Sequence, residues 1–510
     1  MFPFGTTMIN TAACSGWRTA HARVYTSGMA GRRICCAILI GALLFLVWGP
    51  SAGTAEAEPP DCFSWEFGFE AVGVPALNGG RGAVEVKVEG DRRVLTRQSL
   101  GLGTPAPGDR FGAAVSTTRS SDEATCVDLV IGAPGVDGTG AVYIVHGGPD
   151  GFDGYAMRLP GAAPGDAFGT SVMVGEESMV IAGAPGRDVG GVRDAGAVVS
   201  FQAARGGQVP SAPRVITQAS RGVKGAPEPG DRFGEVLSSY HHADELATLI
   251  GVPHEDVGRK RDAGSVVEVF LRPTGSGAFG RGFGWTQSSR RVPGVAEAGD
   301  RFGAAIASYG DVAIGAPGEN VGSRRDAGSV TFLRAHDEAH IYRFSPAYAV
   351  TQNSRRVPGR AETGDEFGAA LVGVPSCAHG ETSSYAIGSP GENLRKARDA
   401  GAVVIFDSGL LTLSDEEESP DPRCRSIWVR QGGRALGRAE RGDHLGTQVA
   451  LTVSGDLVIT APGEDLTQKA VDAGVISFLS TEGHDYIRPR IDQTFSGGRQ
   501  PNLRYGILAN

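Results

Sequence analysis

The sequence predicts an all-β fold, a seven-bladed β-propeller of four-stranded blades closed by a blade shared between the N- and C-termini. The first observation is composition: the 510 residues include 77 Gly and 29 Pro, and only 7% are aromatic. Gly and Pro break helices and populate tight turns, so many short strands are favoured. The second observation is a pattern of four elements that recurs along the chain. The third is that incomplete units at the two ends complement each other.

The first element of the repeat reads Gly-Asp-x-Phe-Gly. It occurs at 108–112, 165–169, 230–234, 299–303 and 364–368, and a copy with Leu in place of Phe spans 442–446. The positions occupied by Phe or its replacements are Phe111, Phe168, Phe233, Phe302, Phe367 and Leu445. We expect them to pack between adjacent blades, since one aromatic beside a Gly in every unit suits close contact. The alternative is an exposed aromatic stripe that binds a ligand.

Three further elements complete each unit. An apolar segment ends in Gly-Ala-Pro or a relative of it, as at 132–134, 183–185 and 315–317. Asp-Ala-Gly followed by β-branched residues begins another strand, as at 194–196, 262–264 and 326–328. Thr-Gln, as in Thr217-Gln218, leads through a Gly- and Pro-rich turn into the next unit. Each unit therefore holds about four short strands in roughly 55 to 80 residues, the size of one propeller blade.

The ends of the chain carry two parts of a seventh unit. Residues 502–506 resemble the opening element, with Tyr505 in the Phe position, and 71–75 with 82–84 resemble the rest. Seven units also share Asp or Asn at one position after the Gly-Ala-Pro element: Asn78, Asp137, Asp188, Asp256, Asn320, Asn393 and Asp465. Pairing the last strand with the first unit would close the ring and remove exposed sheet edges.

These motifs resemble the FG-GAP repeat family across residues 62–510. Related repeats form the propeller in the head of integrin α-subunits and occur in bacterial secreted proteins. The resemblance implies a propeller with ligand-binding loops on one face. It predicts the fold more firmly than the function, because one architecture hosts many functions.

The resemblance also implies calcium loops of the form Asp-x-Asp-x-Asp-Gly, and this sequence departs from that pattern. The corresponding stretches hold only Asp122, Glu123 and Asp128 in one unit, and Asp311 or Asp456 alone in two others. The family's calcium is therefore not carried over, and no other cofactor is predicted.

A different set of acidic residues recurs after Gly-Ala-Pro. Its members are Asp188, Asp194, Glu255, Asp256, Asp262, Glu319, Asp326, Glu392, Asp399, Glu464, Asp465 and Asp472. One interpretation is a rim of acidic loops that holds cations or a basic ligand. The other, which we favour, is that the Asp and Asn side chains accept hydrogen bonds from nearby backbone amides in tight turns.

Other motifs have simpler explanations. Arg441-Gly442-Asp443 spells a tripeptide that some integrins recognise, but Gly442 and Asp443 already belong to the repeat. His241-His242 with Asp244 and Glu245 could bind a transition metal, although a polar loop explains the same composition. The sequence contains no Gly-x-Ser-x-Gly elbow, no His-Glu-x-x-His and no phosphate-binding glycine loop before a helix.

Residues 1–57 are predicted to be a leader. Arg32-Arg33 precede an apolar run from Ile34 to Trp48, and Ala55-Glu56-Ala57 fits a signal-peptidase site, so cleavage after Ala57 and secretion are expected. Met29 is an alternative start. The run is short for a membrane span, so the mature chain is expected to have none. An uncleaved anchor acylated at Cys35 or Cys36 is the alternative.

The charge of the mature chain limits its expected partners, and its cysteines indicate the compartment. The full chain has 48 basic and 57 acidic residues, and removing the four Arg and one Glu of 1–57 leaves 44 against 56. Nucleic acid is excluded as an expected partner because phosphate binding needs a concentrated basic surface. Cys62, Cys126, Cys377 and Cys424 remain, and we expect Cys62–Cys126 and Cys377–Cys424 disulfides in an oxidising compartment. Four unpaired thiols are the alternative.

The sequence thus predicts a secreted or cell-surface, monomeric propeller that binds an extracellular protein or glycan and catalyses nothing. The segment between Gly409 and Arg430, with an acidic run at 415–418, is a candidate contact region. The alternative function is a secreted polysaccharide hydrolase or lyase, because propeller enzymes assemble sites from distant loops. A third possibility is structural packing in an envelope layer.

Overall fold

The computed structural model describes the parts of the chain that carry the repeats. The described residues are 69–88, 91–119, 127–147, 152, 156–175, 179–202, 212–242, 245–271, 282–334, 345–375, 384–407, 426–432, 438–451, 456–464, 475–479, 489–490 and 506–507. The predicted leader with its cleavage site lies outside them, as do Cys62, Cys126, Cys377, Cys424 and Tyr505. Among the described residues no helix is both long and apolar enough to cross a membrane.

Nearly all regular structure in the described residues is β-strand. The strands are β1 (Phe69–Gly73), β2 (Val84–Val88), β3 (Asp91–Leu95), β4 (Ala114–Arg119), β5 (Val127–Ala133), β6 (Ala141–Val145), β7 (Ala156–Arg158), β8 (Val172–Val174), β9 (Met179–Ala184), β10 (Ala197–Gln202), β11 (Arg214–Ile216), β12 (Val236–His242), β13 (Glu245–Val252), β14 (Ser265–Phe270), β15 (Gly284–Trp285), β16 (Ala305–Tyr309), β17 (Asp311–Ala316), β18 (Ser329–Arg334), β19 (Ser345–Val350), β20 (Ala370–Val374), β21 (Ser384–Ser389), β22 (Ala402–Asp407), β23 (Ile427–Val429), β24 (Val449–Leu451), β25 (Leu457–Ala461), β26 (Val475–Leu479), β27 (Pro489–Arg490) and β28 (Gly506–Ile507). Helical structure in the described parts of the chain consists of a single turn at α1 (Leu77–Gly80) and a 3₁₀ turn at Val136–Gly138.

The strands form seven four-stranded antiparallel sheets. Sheet 1 has the order β28-β1-β2-β3, and sheets 2 to 7 take four consecutive strands each, from β4–β7 through β24–β27. The prediction of an all-β chain built from four-stranded units is therefore confirmed. Sheet 1 draws on both ends of the described chain, because β28 pairs with β1 through Val72 opposite Ile507 and Gly73 opposite Gly506.

Consecutive sheets pack face to face through apolar clusters. The second and third strands of a sheet are nearly continuous apolar runs, such as Met-Val-Ile-Ala-Gly-Ala in β9 and Ala-Val-Val-Ser-Phe-Gln in β10. Such runs suit strands covered on both faces. Each of six clusters combines residues of two consecutive sheets. The first strand of each of sheets 2 to 6 also contacts the first strand of the next, and both β28 and β1 contact β4.

The aromatic positions of the repeat lie inside these clusters. Each of the six interfaces contains one fully buried member, which is Phe111, Phe168, Phe233, Phe302, Phe367 or Leu445. Their backbones also join the sheets, since the amide of Phe302 donates to the carbonyl of Ala263, and that of Phe367 to Ala327. These side chains therefore hold neighbouring sheets together and are not exposed for ligand binding.

Candidate functional site: exposed hairpins above buried inter-sheet joints

The predicted acidic residues divide between two environments. Asp and Asn belong to the turns between the second and third strands of sheets 3 to 6. We call these turns the hairpins, residues 188–194, 256–262, 320–326 and 393–399. The Glu residues belong to the boundaries between consecutive sheets, which we call the joints. Asp465 and Asp472 lie outside the described residues.

One hydrogen bond recurs in all four hairpins. The side-chain Oδ1 of the first residue accepts the backbone N–H of the Asp that ends the hairpin: Asp194 to Asp188 (3.0 Å), Asp262 to Asp256 (3.0 Å), Asp326 to Asn320 (3.2 Å) and Asp399 to Asn393 (3.2 Å). The donor Asp residues adopt a left-handed backbone, with φ between 50° and 53°, which Asp tolerates better than most residues. The geometry matches the interpretation of these positions as turn-stabilising groups.

The hairpins carry exposed basic side chains that the sequence reasoning overlooked. Exposed arginines and lysines lie at Arg193, Arg259, Arg261, Arg324, Arg325, Arg395, Lys396 and Arg398. Counting all charged side chains from the first to the last residue of a hairpin, 256–262 holds three basic against two acidic, 320–326 two against one, and 393–399 three against one. Arg and Lys residues between the Asp or Asn positions of each repeat could have indicated these basic side chains from the sequence. Three of the four hairpins are therefore net basic on a net acidic chain.

The joints are built around the Asp of Gly-Asp-x-Phe-Gly. This Asp is at most 3% exposed at all six described joints, as Asp109, Asp166, Asp231, Asp300, Asp365 and Asp443. Each carboxylate accepts the backbone N–H of the residue three positions earlier, for example Ala106 to Asp109 at 2.7 Å and Glu228 to Asp231 at 2.7 Å. The Asp thus closes the turn that leads into the next sheet.

Four joints add a Gln and a Glu to this Asp. The Gln of the Thr-Gln element, or Gln431 in the fourth joint, follows the last strand of one sheet, and the Glu follows the second strand of the next. The Gln Nε2 donates to the Glu Oε2 in each: Gln218 to Glu255 at 2.6 Å, and Gln287 to Glu319, Gln352 to Glu392 and Gln431 to Glu464. The Gln side chains are 2–4% exposed. The predicted rim glutamates are therefore inter-sheet contacts.

The other two joints use an arginine. Arg97 Nη1 lies 2.5 Å from Asp109 Oδ2, and Arg97 stands where later units have Gln. Arg187 binds Asp166, with Nε at 2.9 Å, and stands where later units have Glu. The corresponding Glu position of the first joint is Val136. An arginine is therefore present where the second carboxylate is missing.

Burial dominates the electrostatics of the acidic joints. Loss of solvation raises the pKa of Asp300, Asp231, Glu255 and Glu392 to about 7, and that of Asp365 to about 6. Neighbouring carboxylates contribute to these raised pKa values, as Glu319 and Glu297 do at Asp300, and Glu362 and Asp399 at Asp365. Lys260 acts in the opposite sense on Asp300, and Arg430 on Glu392.

The structure places part of two further motifs, the histidine pair and the Arg-Gly-Asp tripeptide, whereas Asp244 lies outside the described residues. The His241-His242 pair was interpreted as part of a polar loop, but both residues belong to the end of β12. Asp443 of the Arg-Gly-Asp tripeptide is fully buried and accepts the Glu440 amide at 2.6 Å, so it cannot reach an adhesion partner.

The residues at the positions where the family resemblance implies calcium loops do not fit a calcium site. Asp128 already binds His146 Nδ1 at 2.9 Å and the Gly147 amide. Within the described part of the chain no three His, Cys, Asp or Glu side chains group as a metal cluster. Asp122 and Glu123 lie outside that part.

Comparisons with known proteins give no family and no activity. No protein-family model matches the sequence, and no curated protein matches it. Cobalt-substituted Synechocystis ACO is 10% identical, covering 69% of this chain and 73% of that chain at a TM-score of 0.32. A variant of Synechocystis apocarotenoid oxygenase is 11% identical, covering 70% and 72% at 0.34. An acylaminoacyl peptidase is 10% identical, covering 79% of this chain but 47% of the peptidase at 0.33.

Proposed function

We propose that this chain is a secreted or cell-surface protein of the FG-GAP type whose seven sheets are the blades of a closed propeller, and that its hairpins bind an extracellular protein or glycan without catalysis. Support for closure comes from the β28–β1 pairing and from the contacts between the first strands of successive sheets. In a propeller the first strands surround the axis, so such contacts are expected.

The hairpins carry the binding proposal. Each has a fixed backbone shape, because the same side-chain bond locks it and its end is bonded to the next sheet. Thus the Arg301 amide donates to Asp262 and the Glu366 amide to Asp326. The same turn in four consecutive sheets displays different exposed side chains. Rigid loops with variable tips on a regular scaffold are typical of binding surfaces.

Catalysis is less well supported than binding. A polysaccharide hydrolase needs two carboxyl groups that reach the sugar. At the Asp–Glu pairs of the joints, Asp300 and Asp365 are fully buried and Glu392 is 3% exposed. These carboxyl groups contact other parts of the protein and are covered by it.

The net basic hairpins favour an anionic ligand, and this gives the test. We expect the purified chain to be retained on an acidic polysaccharide, polygalacturonate, more strongly than on neutral dextran, and to elute with salt. Replacing the exposed Arg324 and Arg325 by Ser should weaken retention several-fold. The matched control replaces Arg92 and Arg93 on β3, which are also exposed. Equal retention of both variants would contradict binding through the hairpins, and a panel of acidic proteins tests the protein alternative.

Secretion has a separate test. Expression of the full chain with its leader should give an exported protein whose N-terminal residue is Glu58. An intact leader on a membrane-associated product would instead favour the acylated anchor.

A further inference from the structure

Two joints combine buried oxygen atoms that lack a hydrogen-bond donor. In the joint of Gln287, Asp300 and Glu319, both Asp300 Oδ1 and Gln287 Oε1 are buried and accept no hydrogen bond. The joint of Gln352, Asp365 and Glu392 repeats this arrangement at Asp365 Oδ1 and Gln352 Oε1. The two Asp side chains are fully buried, and the two Gln side chains are 2% exposed.

These oxygens belong to compact clusters. Each Gln Nε2 is bonded to the Glu carboxylate of its own joint, so Gln Oε1 on the same amide lies beside that carboxylate. The Asp and Glu of a joint influence each other electrostatically, and the Gly before each Glu donates its amide to the carbonyl of the Asp. A buried acceptor without a donor destabilises the folded chain, because it has lost its hydrogen bonds to water.

In the arginine joints a guanidinium is bonded directly to the buried Asp, Arg97 to Asp109 and Arg187 to Asp166. At the two acidic joints, Lys260 and Arg430 act on Asp300 and Glu392 through their charge, and the Lys260 ammonium donates to the carbonyl of Ala296. The acidic joints hold two carboxyl groups around the same Asp position and an uncharged Gln. Buried charges are normally paired or bound to a metal.

We propose that each of these two joints binds a hard divalent cation, with the Asp and Glu carboxylates and the Gln carbonyl oxygen as ligands. Carboxylates and amide oxygens are the ligands that Ca²⁺ takes, and water or main-chain oxygens complete its shell. The ion supplies the positive charge that Arg97 and Arg187 supply at the two arginine joints. These residues lie at the sheet boundaries and differ from the loop positions where the family resemblance implies calcium. The proposal does not depend on hairpin binding.

Calcium retained by the full mature chain tests the proposal. The protein is stripped with chelator at pH 8, equilibrated with Ca²⁺, freed of unbound ion by gel filtration, and analysed by atomic emission. We expect about two ions per chain, one for each joint described above. Glu319→Gln and Glu392→Gln should each remove one ion, and the double variant both. Asp188→Asn is the matched control, since it removes an exposed carboxylate from a hairpin next to an arginine joint and keeps Oδ1.

The measurement distinguishes a bound cation from a bound proton as the source of charge neutralisation in each joint. A proton shared by the two carboxyl groups would also reduce the charge of each joint. A chain that retains no calcium at pH 8, and whose melting temperature chelator does not lower, overturns the proposal and leaves the proton. Calcium that persists undiminished in both single variants also overturns it, because the ion then binds elsewhere. The single variants keep the test decisive if the double variant does not fold.

Discussion

The partners of individual buried charges decide how much each residue contributes to stability. Arg187 and Asp166 form an ion pair whose side chains are 13% and 3% exposed, whereas those of Arg158 and Asp137 are 40% and 61% exposed. Removing one member of a buried pair leaves the other charged without compensation, while an exposed pair is solvated either way. The same chemical contact therefore has different consequences at the two positions.

Replacement of the two arginines by Met measures this difference. Arg187→Met should destabilise the fold by about 3–5 kcal/mol, because Asp166 is left buried and unpaired. Arg158→Met should cost about 0–1 kcal/mol. Chemical denaturation gives both values, and adding Asp166→Asn to the first variant should recover part of its loss. Equal midpoints for the two single variants would contradict the assignment of Arg187 as a buried partner.

Glu268 predicts a pH dependence of stability. It is fully buried on β14, accepts the Tyr240 hydroxyl, and burial raises its pKa to about 7. The unfolded carboxyl titrates near pH 4.5, so between these values the folded chain binds more protons. The free energy of unfolding contributed by Glu268 is therefore highest below about pH 4.5 and falls as the pH rises through about 7.

Thermal melting at pH 5 to 8 in the presence of chelator tests this. Glu268→Gln keeps an oxygen for Tyr240 but cannot ionise, so the decline in melting temperature towards pH 8 should be shallower than in the parent chain. Glu366→Gln, at a carboxylate 39% exposed, is the control. A parent-like slope in Glu268→Gln would show that Glu268 is charged in the folded state.

At the scale of elements, glycines set how closely consecutive sheets approach. Gly315 on β17 lies against the backbone of sheet 6, and a Cβ there would overlap the carbonyl oxygen of Gly368. Gly322, in the hairpin of the same sheet, has φ of 63° and open space around it. The first position is restricted by packing and the second only by backbone conformation.

Alanine substitution distinguishes these two causes. Gly315→Ala should force the two sheets apart and cost about 3 kcal/mol or more, at or above the upper end of overpacking effects. Gly322→Ala should cost about 1 kcal/mol, from the left-handed backbone alone. Denaturant midpoints rank the variants. A smaller loss in Gly315→Ala than in Gly322→Ala would mean that the inter-sheet contact is looser than described.

At the scale of the whole molecule, β28 joins the last described segment of the chain to the first described strand. It pairs with β1, so without it the first sheet would present a free edge. A free edge strand exposes unpaired amides and carbonyls and promotes association. The proposed closure of the ring therefore depends on a segment that is remote in sequence from the sheet it completes.

Truncation tests the closure. Deletion of residues 500–510 removes β28 and should lower the melting temperature and promote aggregation, because sheet 1 loses a strand. Deletion of 508–510 alone keeps Gly506 and Ile507 and serves as the control. If both truncated chains melt like the full chain, the ring is not closed through β28.

The sequence alone predicted the strands and their grouping, since these depend on local chemistry. Turn residues such as Gly-Asp and Asp-Ala-Gly, with apolar runs between them, recur in the same order in successive units of the sequence. The Asx bonds of the hairpins were also predicted, because Asp256 and its donor amide at Asp262 lie only six positions apart.

Tertiary structure decided the role of the glutamates. One of the two interpretations placed Glu319 with Asp326 on an acidic rim, but Glu319 is bonded to Gln287, which lies 32 positions earlier and follows the last strand of the preceding sheet. The exchange of Gln and Glu for Arg97 and Arg187 was visible only as scattered variation between repeats. The structure explains this variation, because packing places those positions around the buried Asp of each joint, Asp109 for Arg97 and Asp166 for Arg187. Local sequence fixes turns and strands through short-range sterics and hydrogen bonds, whereas burial and charge pairing depend on which distant segments meet when the sheets pack.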